Sequence, residues 1–225
     1  MRKYLAEFIG TFFLVLTVGI TVTKTNALAP FAIGGVLMVM VYAGGHISGA
    51  HFNPAVTLAA LVRGAISGMD AAAYVAAQVL GGLLAAVAAR LVARPTTPAL
   101  SLSGRALAVA MLVEALFTFA LAYVVLNVAT SKDNADNSFY GLAIGGTVMV
   151  GAITVGGISG GAFNPAVAIG GAVVGLFAWS TIWVYLLATA VGGAAAGLAF
   201  LGLNPDDRPV AKRADAIAST PAPTT

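Results

Sequence analysis

Residues 48–56 read SGAHFNPAV and residues 159–167 read SGGAFNPAV. The likeness extends beyond these nine positions. Residues 31–58 align without gaps to residues 142–169, and 15 of the 28 positions are identical. They include Ala-Ile-Gly-Gly at 32–35 and 143–146, and Ile-Ser-Gly at 47–49 and 158–160. The segment around Glu7, AEFIGTFF, also matches loosely that around Glu114, VEALFTFA. Two halves of one chain share one design.

The surrounding composition says where that design operates. The chain has 225 residues, of which 60% are hydrophobic and 8% charged. A soluble domain carries about 25% charged residues, because its water-facing shell must be polar. A disordered chain needs low hydrophobicity and high charge. Both are excluded, which leaves an integral membrane protein. Cysteine is absent, so there is neither a disulfide framework nor a thiolate metal site. The net charge of +3 comes from scattered basic residues, which leaves no footprint for nucleic acid.

A bilayer-spanning helix needs about 20 apolar residues. Six stretches qualify, at 5–22, 30–45, 71–91, 107–128, 139–155 and 178–203. The first begins almost at Met1 without a small-residue cleavage site, so it reads as a retained helix rather than a signal peptide. Two apolar stretches, 54–62 and 165–176, are too short to span; each follows a Gly-rich run and opens on Asn-Pro. Each would cover about half of the ~30 Å hydrocarbon layer.

The repeats fall at about 1–92 and 105–203 of a single membrane domain, 1–203. Each holds three spans, an odd number, so the second half enters the membrane from the opposite face. The repeat is therefore inverted. The two Asn-Pro loops must dip in from opposite sides and meet near the midplane. Non-helical backbone at that depth is tolerated only in protein or along a cavity, so the pattern implies a central pore or binding site. Asn suits the N-cap and Pro the first helical turn. Asn53 and Asn164 would thus cap two helices whose positive N-terminal ends face one another. Their amide N–H groups could donate to a passing solute oxygen, while the dipoles repel cations and protons.

Lys and Arg set the orientation. Arg2, Lys3, Arg63, Lys132, Arg208, Lys212 and Arg213 would share the face of the termini; Lys24, Arg90, Arg94 and Arg105 would lie opposite. Seven against four places the termini in the cytoplasm of a cell-membrane (plasma or inner) protein. The segment 204–225, rich in Pro, Ala, Thr and charge, reads as a disordered cytoplasmic tail.

The paired SGAHFNPAV and SGGAFNPAV, with Glu7 and Glu114, make the sequence similar to the aquaporin family, the major intrinsic proteins that include the glycerol facilitators. The resemblance covers residue 2 to about 203. It implies an all-α bundle of six transmembrane helices and two re-entrant half-helices. It also implies four chains per assembly, each with its own pore, and passive conduction of water or small neutral solutes. The pore would be marked by Asn53, Pro54, Ala55, Asn164, Pro165 and Ala166.

The sequence departs from that family at a second constriction, built from four residues near the outer mouth. Counted from the two Asn residues, those positions are Ile33, Ala152, Gly161 and Val167. The last is normally Arg, the first often aromatic, and the second His in strict water channels. Unless another side chain fills the gap or the helices shift inward, the four residues imply a wide, aliphatic filter without its fixed positive charge. That favours glycerol and other polyols, urea, hydrogen peroxide, ammonia or undissociated metalloid acids over strict water selectivity.

Glu7 and Glu114 are ionisable groups inside spans, which are costly unless functional or paired. They are expected to support the re-entrant loops by accepting backbone N–H bonds. The alternative is proton coupling in a secondary transporter, which also uses inverted repeats and broken helices. His51 is expected to pack and hydrogen-bond within its loop, and His46 to line the cytoplasmic vestibule. Gln78 should face protein; Arg63 favours a helix C-terminus. Trp179, Trp183 and Tyr185 read as interface anchors. No nucleophile–base pair, metal cluster or phosphate loop is present, so neither an enzyme nor a cofactor or metal site is expected.

Overall fold

The computed structural model describes residues 1–95 and 98–207. Among the described residues eight α-helices follow in order: α1 (Arg2–Thr23), α2 (Ala29–Ser48), α3 (Pro54–Arg63), α4 (Gly68–Val92), α5 (Gly104–Thr130), α6 (Tyr140–Ser159), α7 (Pro165–Val174) and α8 (Ile182–Leu203). Six are long and apolar enough to cross a membrane, while α3 and α7 have ten residues each. The long helices expose Leu80, Leu84, Leu112, Leu116 and Leu198, an outer surface suited to lipid.

Most helices run past the sequence-read limits. The Gly pairs 44–45 and 156–157 do not end α2 and α6, because intrahelical hydrogen bonds carry through them. The helices stop where Gly49 (φ +81°) and Gly160 (φ +90°) take the left-handed conformation that a Cβ disfavours. The second half-helix is shorter than 165–176, ending at Val174 with Gly175 as its cap. The last span begins as a separate 3-10 turn, Trp179–Thr181, before α8. The boundary at 203 also moves: Pro205–Asp207 form a turn, and Asp207 is buried against the backbone N–H of Lys132 at 3.1 Å. Residues 208–225, with Arg208, Lys212 and Arg213, lie outside the described residues.

Packing follows the repeat. Helix α1 packs on α4 as α5 does on α8, and α3 lies on α8 as α7 lies on α4. Half-helices therefore dock onto the opposite half of the chain. Glycine pairs at twin positions permit this. A Cβ on Gly34 would sit 2.6 Å from the carbonyl oxygen of Gly145, and one on Gly145 would meet that of Gly34. This is the α2–α6 crossing. A Cβ on Gly82 would lie 3.1 Å from the Ala166 oxygen, and one on Gly193 would press on the Ala55 oxygen. Small residues let helix backbones approach closely where lipid offers no hydrophobic drive between helices.

Contacts between helix ends define two faces. On one, Lys3 pairs with Asp70 at 2.8 Å, Arg63 donates to the Thr130 hydroxyl at 2.9 Å, and Lys132 lies 3.8 Å from Asp207. On the other, Arg90 donates to the Val173 carbonyl at 3.0 Å, and Leu100 pairs with the strand-like turn at Leu176 and Ala178. The first is the face of the N-terminus. Trp179 and Trp183 stay about half exposed beside the second face, but Tyr185 is fully buried. It is no interface anchor, because its ring packs 4.7 Å from that of Phe177 and its hydroxyl donates to the Ser159 carbonyl.

Candidate functional site

The re-entrant loops meet as twins. Asn53 caps α3 by accepting from Ala55 N at 2.8 Å, and Asn164 caps α7 from Ala166 N at 2.9 Å. With Oδ1 spent on the cap, each amide nitrogen reaches the other loop. Asn53 Nδ2 donates to the Phe163 carbonyl at 2.8 Å and Asn164 Nδ2 to the Phe52 carbonyl at 2.9 Å. An amide nitrogen has two hydrogens, so each Asn keeps one for the cavity that both line. Pro54 and Pro165 open the half-helices and Ala55 and Ala166 follow in their first turns. The cross-links turn Phe52 and Phe163 to φ +48°. For a bulky non-glycine residue this conformation costs about 1–3 kcal/mol and persists only when its surroundings hold it.

The surroundings that hold it are the two buried acids, both 0% exposed. Glu7 accepts from Ser48 Oγ (2.7 Å) and His51 N (2.9 Å) on one oxygen, and from Phe52 N (2.7 Å) and Gln78 Nε2 (2.7 Å) on the other. Glu114 accepts from Ser159 Oγ (2.6 Å), Ala162 N (3.0 Å) and Phe163 N (2.8 Å). Two tyrosines finish the brace. Tyr74 donates to the Ser48 carbonyl at 2.8 Å and Tyr185 to that of Ser159 at 2.5 Å. Sequence reasoning passed over Ser48, Ser159, Tyr74 and the role of Tyr185. Both pairs stand 111 residues apart, so the repeat, followed past residue 58, carries the signal.

The two braces differ beside the first loop. His51 Nδ1 lies 3.1 Å from the Thr57 hydroxyl, which receives Gln78 Nε2 at 3.0 Å. The twin positions hold Ala162, Ala168 and Thr189. Gln78 faces protein, and His51 packs its ring edge-on to Tyr74 while also reaching the cavity.

That cavity has a volume of about 460 Å³ and opens toward the face opposite the N-terminus. Ile33 of α2, Ala152 of α6, Gly161 of the second loop and Val167 of α7 all line it. Four sequence-distant residues are thus brought to one wall, and none carries a side-chain hydrogen-bonding group. The polar side chains on the wall are Thr25, His51, Asn53 and Asn164. Gly160, Gly161 and Ala162 also line it, and among the described residues their carbonyl oxygens accept no hydrogen bond. A second cavity of about 290 Å³, on the N-terminal face, is bordered by His46 and Gly49; Ile144 borders both. Among the described residues no three His, Asp or Glu side chains gather as a metal site.

An inverted pair of three-helix halves, with two half-helices starting nose to nose beside a cavity, defines an α-helical multi-pass membrane protein of channel architecture. The profile of the major intrinsic protein family matches residues 1–200, and the chain belongs to that family. It is 43% identical over 206 residues to the glycerol uptake facilitator protein-like 6 of Lactiplantibacillus plantarum, covering 85% of this chain and 93% of the relative. It is 39% identical over 209 residues to aquaporin NIP1-4 of Oryza sativa, covering 89% and 76%. The X-ray structure of the aquaglyceroporin from Plasmodium falciparum superposes with a TM-score of 0.72 at 22% identity, over 96% of this chain and 98% of that one, which shows the shared fold. The chain is a passive membrane channel for water or small solutes, and not an enzyme.

Proposed function

We propose that the chain conducts small neutral solutes larger than water, among them glycerol, urea, hydrogen peroxide, ammonia or undissociated metalloid acids, through a wide aliphatic filter at Ile33, Ala152, Gly161 and Val167. The observation that carries this is Val167, 5% exposed on the cavity wall at the position where the family usually has Arg. Without that guanidinium the filter has neither a fixed charge nor a donor fork. What remains is amphipathic: apolar side chains on one side, and the unpaired carbonyls of Gly160, Gly161 and Ala162 on the other. Carbonyl oxygens without a protein partner gain from a donor. A solute hydroxyl or amide N–H supplies it in passing, and its carbon face slides along Ile33 and Val167.

At the waist the solute's oxygens meet the free hydrogens of Asn53 and Asn164. There the two helix N-termini each add about half a positive charge. This favours neutral acceptors and opposes cations and protons. Glu7, Glu114 and His51 brace the loops rather than handle the solute. The assembly that fits the family is a homotetramer with one pore per chain. The termini face the cytoplasm of the plasma or inner membrane, as the Lys and Arg distribution supports.

The test is Val167→Arg in proteoliposomes, followed by stopped-flow light scattering. Glycerol and urea permeability should fall at least tenfold more than water permeability, a difference in barrier of about 1.4 kcal/mol. Equal slowing of all three, or of none, would show that Val167 does not border the narrowest point.

A further inference from the structure

The repeat gives each residue of the outer filter a twin on the other side of the Asn53–Asn164 waist. At the offset of 111, Ile33, Ala152, Gly161 and Val167 answer to Ile144, Val41, Ala50 and Val56. The chemistry is kept, since none of the eight side chains can hydrogen-bond. The size is not. Val41 has two carbons more than Ala152 and Ala50 has one more than Gly161, while the other two pairs are identical. Exposure follows size. Ile33, Ala152 and Gly161 are half-buried, whereas Val41 and Ala50 are 2% exposed, Ile144 3% and Val56 1%.

The two cavities change over at the level of this inner set. On α2 the lining passes from Leu37 in the outer cavity to Val41 in the inner one, and on α5 from Val125 to Val128. In the first loop it passes from His51 to Gly49, so Ala50 stands at the change-over. Ile144 of α6 borders both cavities, with Val148 about one turn away on the outer side and Tyr140 on the inner. Almost none of its surface is open to either. Val56, in the first turn of α3, closes the set from the outer side. The passage between the cavities is therefore bordered by branched, buried side chains. Its polar groups are backbone ones. Gly49, Ala50 and His51 are the twins of Gly160, Gly161 and Ala162, and among the described residues their carbonyl oxygens likewise accept no hydrogen bond.

We infer that Val41, Ala50, Val56 and Ile144 form a second size filter in series with the outer one, and that with Val at 167 this inner ring is the narrower of the two. A path in series is limited by its tightest point. Apolar side chains replace none of the hydrogen bonds that a solute gives up with its water. Passage through the ring is thus set by the solute's cross-section and by how much of its polar surface the backbone carbonyls can serve. The wide outer filter admits polyols and amides, and the inner ring decides which of them go on. The inference rests on the solute reading proposed above, and it adds the residues that limit the solute's size.

The experiment makes the same cut at twin positions. Stopped-flow permeabilities to water, urea and glycerol are measured in proteoliposomes for the parent, Ile144→Ala and Ile33→Ala. Val41→Ala is the second inner variant, on a different helix, and it gives the ring the residue of its outer twin Ala152. It carries the comparison if Ile144→Ala does not reconstitute. One methylene in a fitted apolar site is worth about tenfold or more, so each inner variant should raise glycerol permeability about tenfold over the parent. Urea should gain less, water least, and Ile33→Ala should raise glycerol permeability by a clearly smaller factor. Water permeability at or above the parental value shows that a variant is folded and inserted. Folded inner variants no faster for glycerol than a conducting parent, or a gain in Ile33→Ala as large as theirs, overturn the inner ring and leave the solute reading standing. Water flux without glycerol or urea flux in the parent and in every variant overturns both.

Discussion

Glu7 and Glu114 occupy twin positions with unequal duties. Each oxygen of Glu7 accepts two donors, whereas Glu114 accepts two on one oxygen and the Phe163 N–H alone on the other. Replacing Glu by Gln keeps one acceptor oxygen and turns the other into a donor. In Glu114→Gln the new amide can face Phe163 N, so one N–H loses its partner. In Glu7→Gln two donors are left facing it. Each buried unsatisfied group costs about 1–3 kcal/mol. The expected order of stability is parent, Glu114→Gln, Glu7→Gln, with Glu7→Leu lowest because all four donors are stranded. Thermal melts of the purified protein in detergent, followed by the fluorescence of Trp179 and Trp183, check that order. Glu7→Gln as stable as Glu114→Gln would contradict the donor inventory.

At the scale of elements, the glycines separate packing from propensity. Gly34 and Gly35 are neighbours in α2, as Gly145 and Gly146 are in α6. A Cβ on Gly34 meets backbone of the partner helix, while one on Gly35 or Gly146 meets nothing within 4 Å. Gly34→Ala should therefore wedge α2 from α6, at about 1–3 kcal/mol for overpacking. Gly35→Ala should be neutral or stabilising by up to about 1 kcal/mol, since Ala is the better helix former. Melting of the two variants side by side is the measurement; equal destabilisation would move the α2–α6 contact elsewhere. The same neighbours show what the sequence makes legible. Identity between the halves marks both half-helices and the Asn53–Asn164 meeting, because one local pattern inserted from two faces has one geometric solution. It does not mark helix ends, since paired glycines read as stops and the helices continue to the single residue that turns left-handed. Nor does it mark Tyr185, which looks like an interface aromatic until its hydroxyl is seen on the Ser159 carbonyl. The outer wall is legible by counting from Asn164.

At the scale of the whole molecule, the question is whether anything in the fold couples solute to an ion. A carrier needs a group that gains or loses a proton or cation during each cycle, in two conformations that expose it alternately. Glu7 and Glu114 are the buried acids inside the described spans. Both are 0% exposed and fully engaged in holding loops, and neither appears on a cavity wall. Exposing either would break three or four hydrogen bonds and release Phe52 or Phe163 from its left-handed turn. The half-helices are also pinned to opposite repeats by the Asn53 and Asn164 cross-links and by the Gly82 and Gly193 contacts, so rocking one half against the other would tear the waist. A passive path follows: net flux should depend on the solute gradient alone. In proteoliposomes with glycerol inside or outside at equal gradients, initial rates should agree at concentrations well below saturation. Imposing a pH gradient, or collapsing one with an uncoupler, should leave both rates unchanged. Uphill accumulation of glycerol driven by a pH gradient, lost in Glu7→Gln or Glu114→Gln variants that still fold, would overturn the passive reading and make the acids part of a transport cycle.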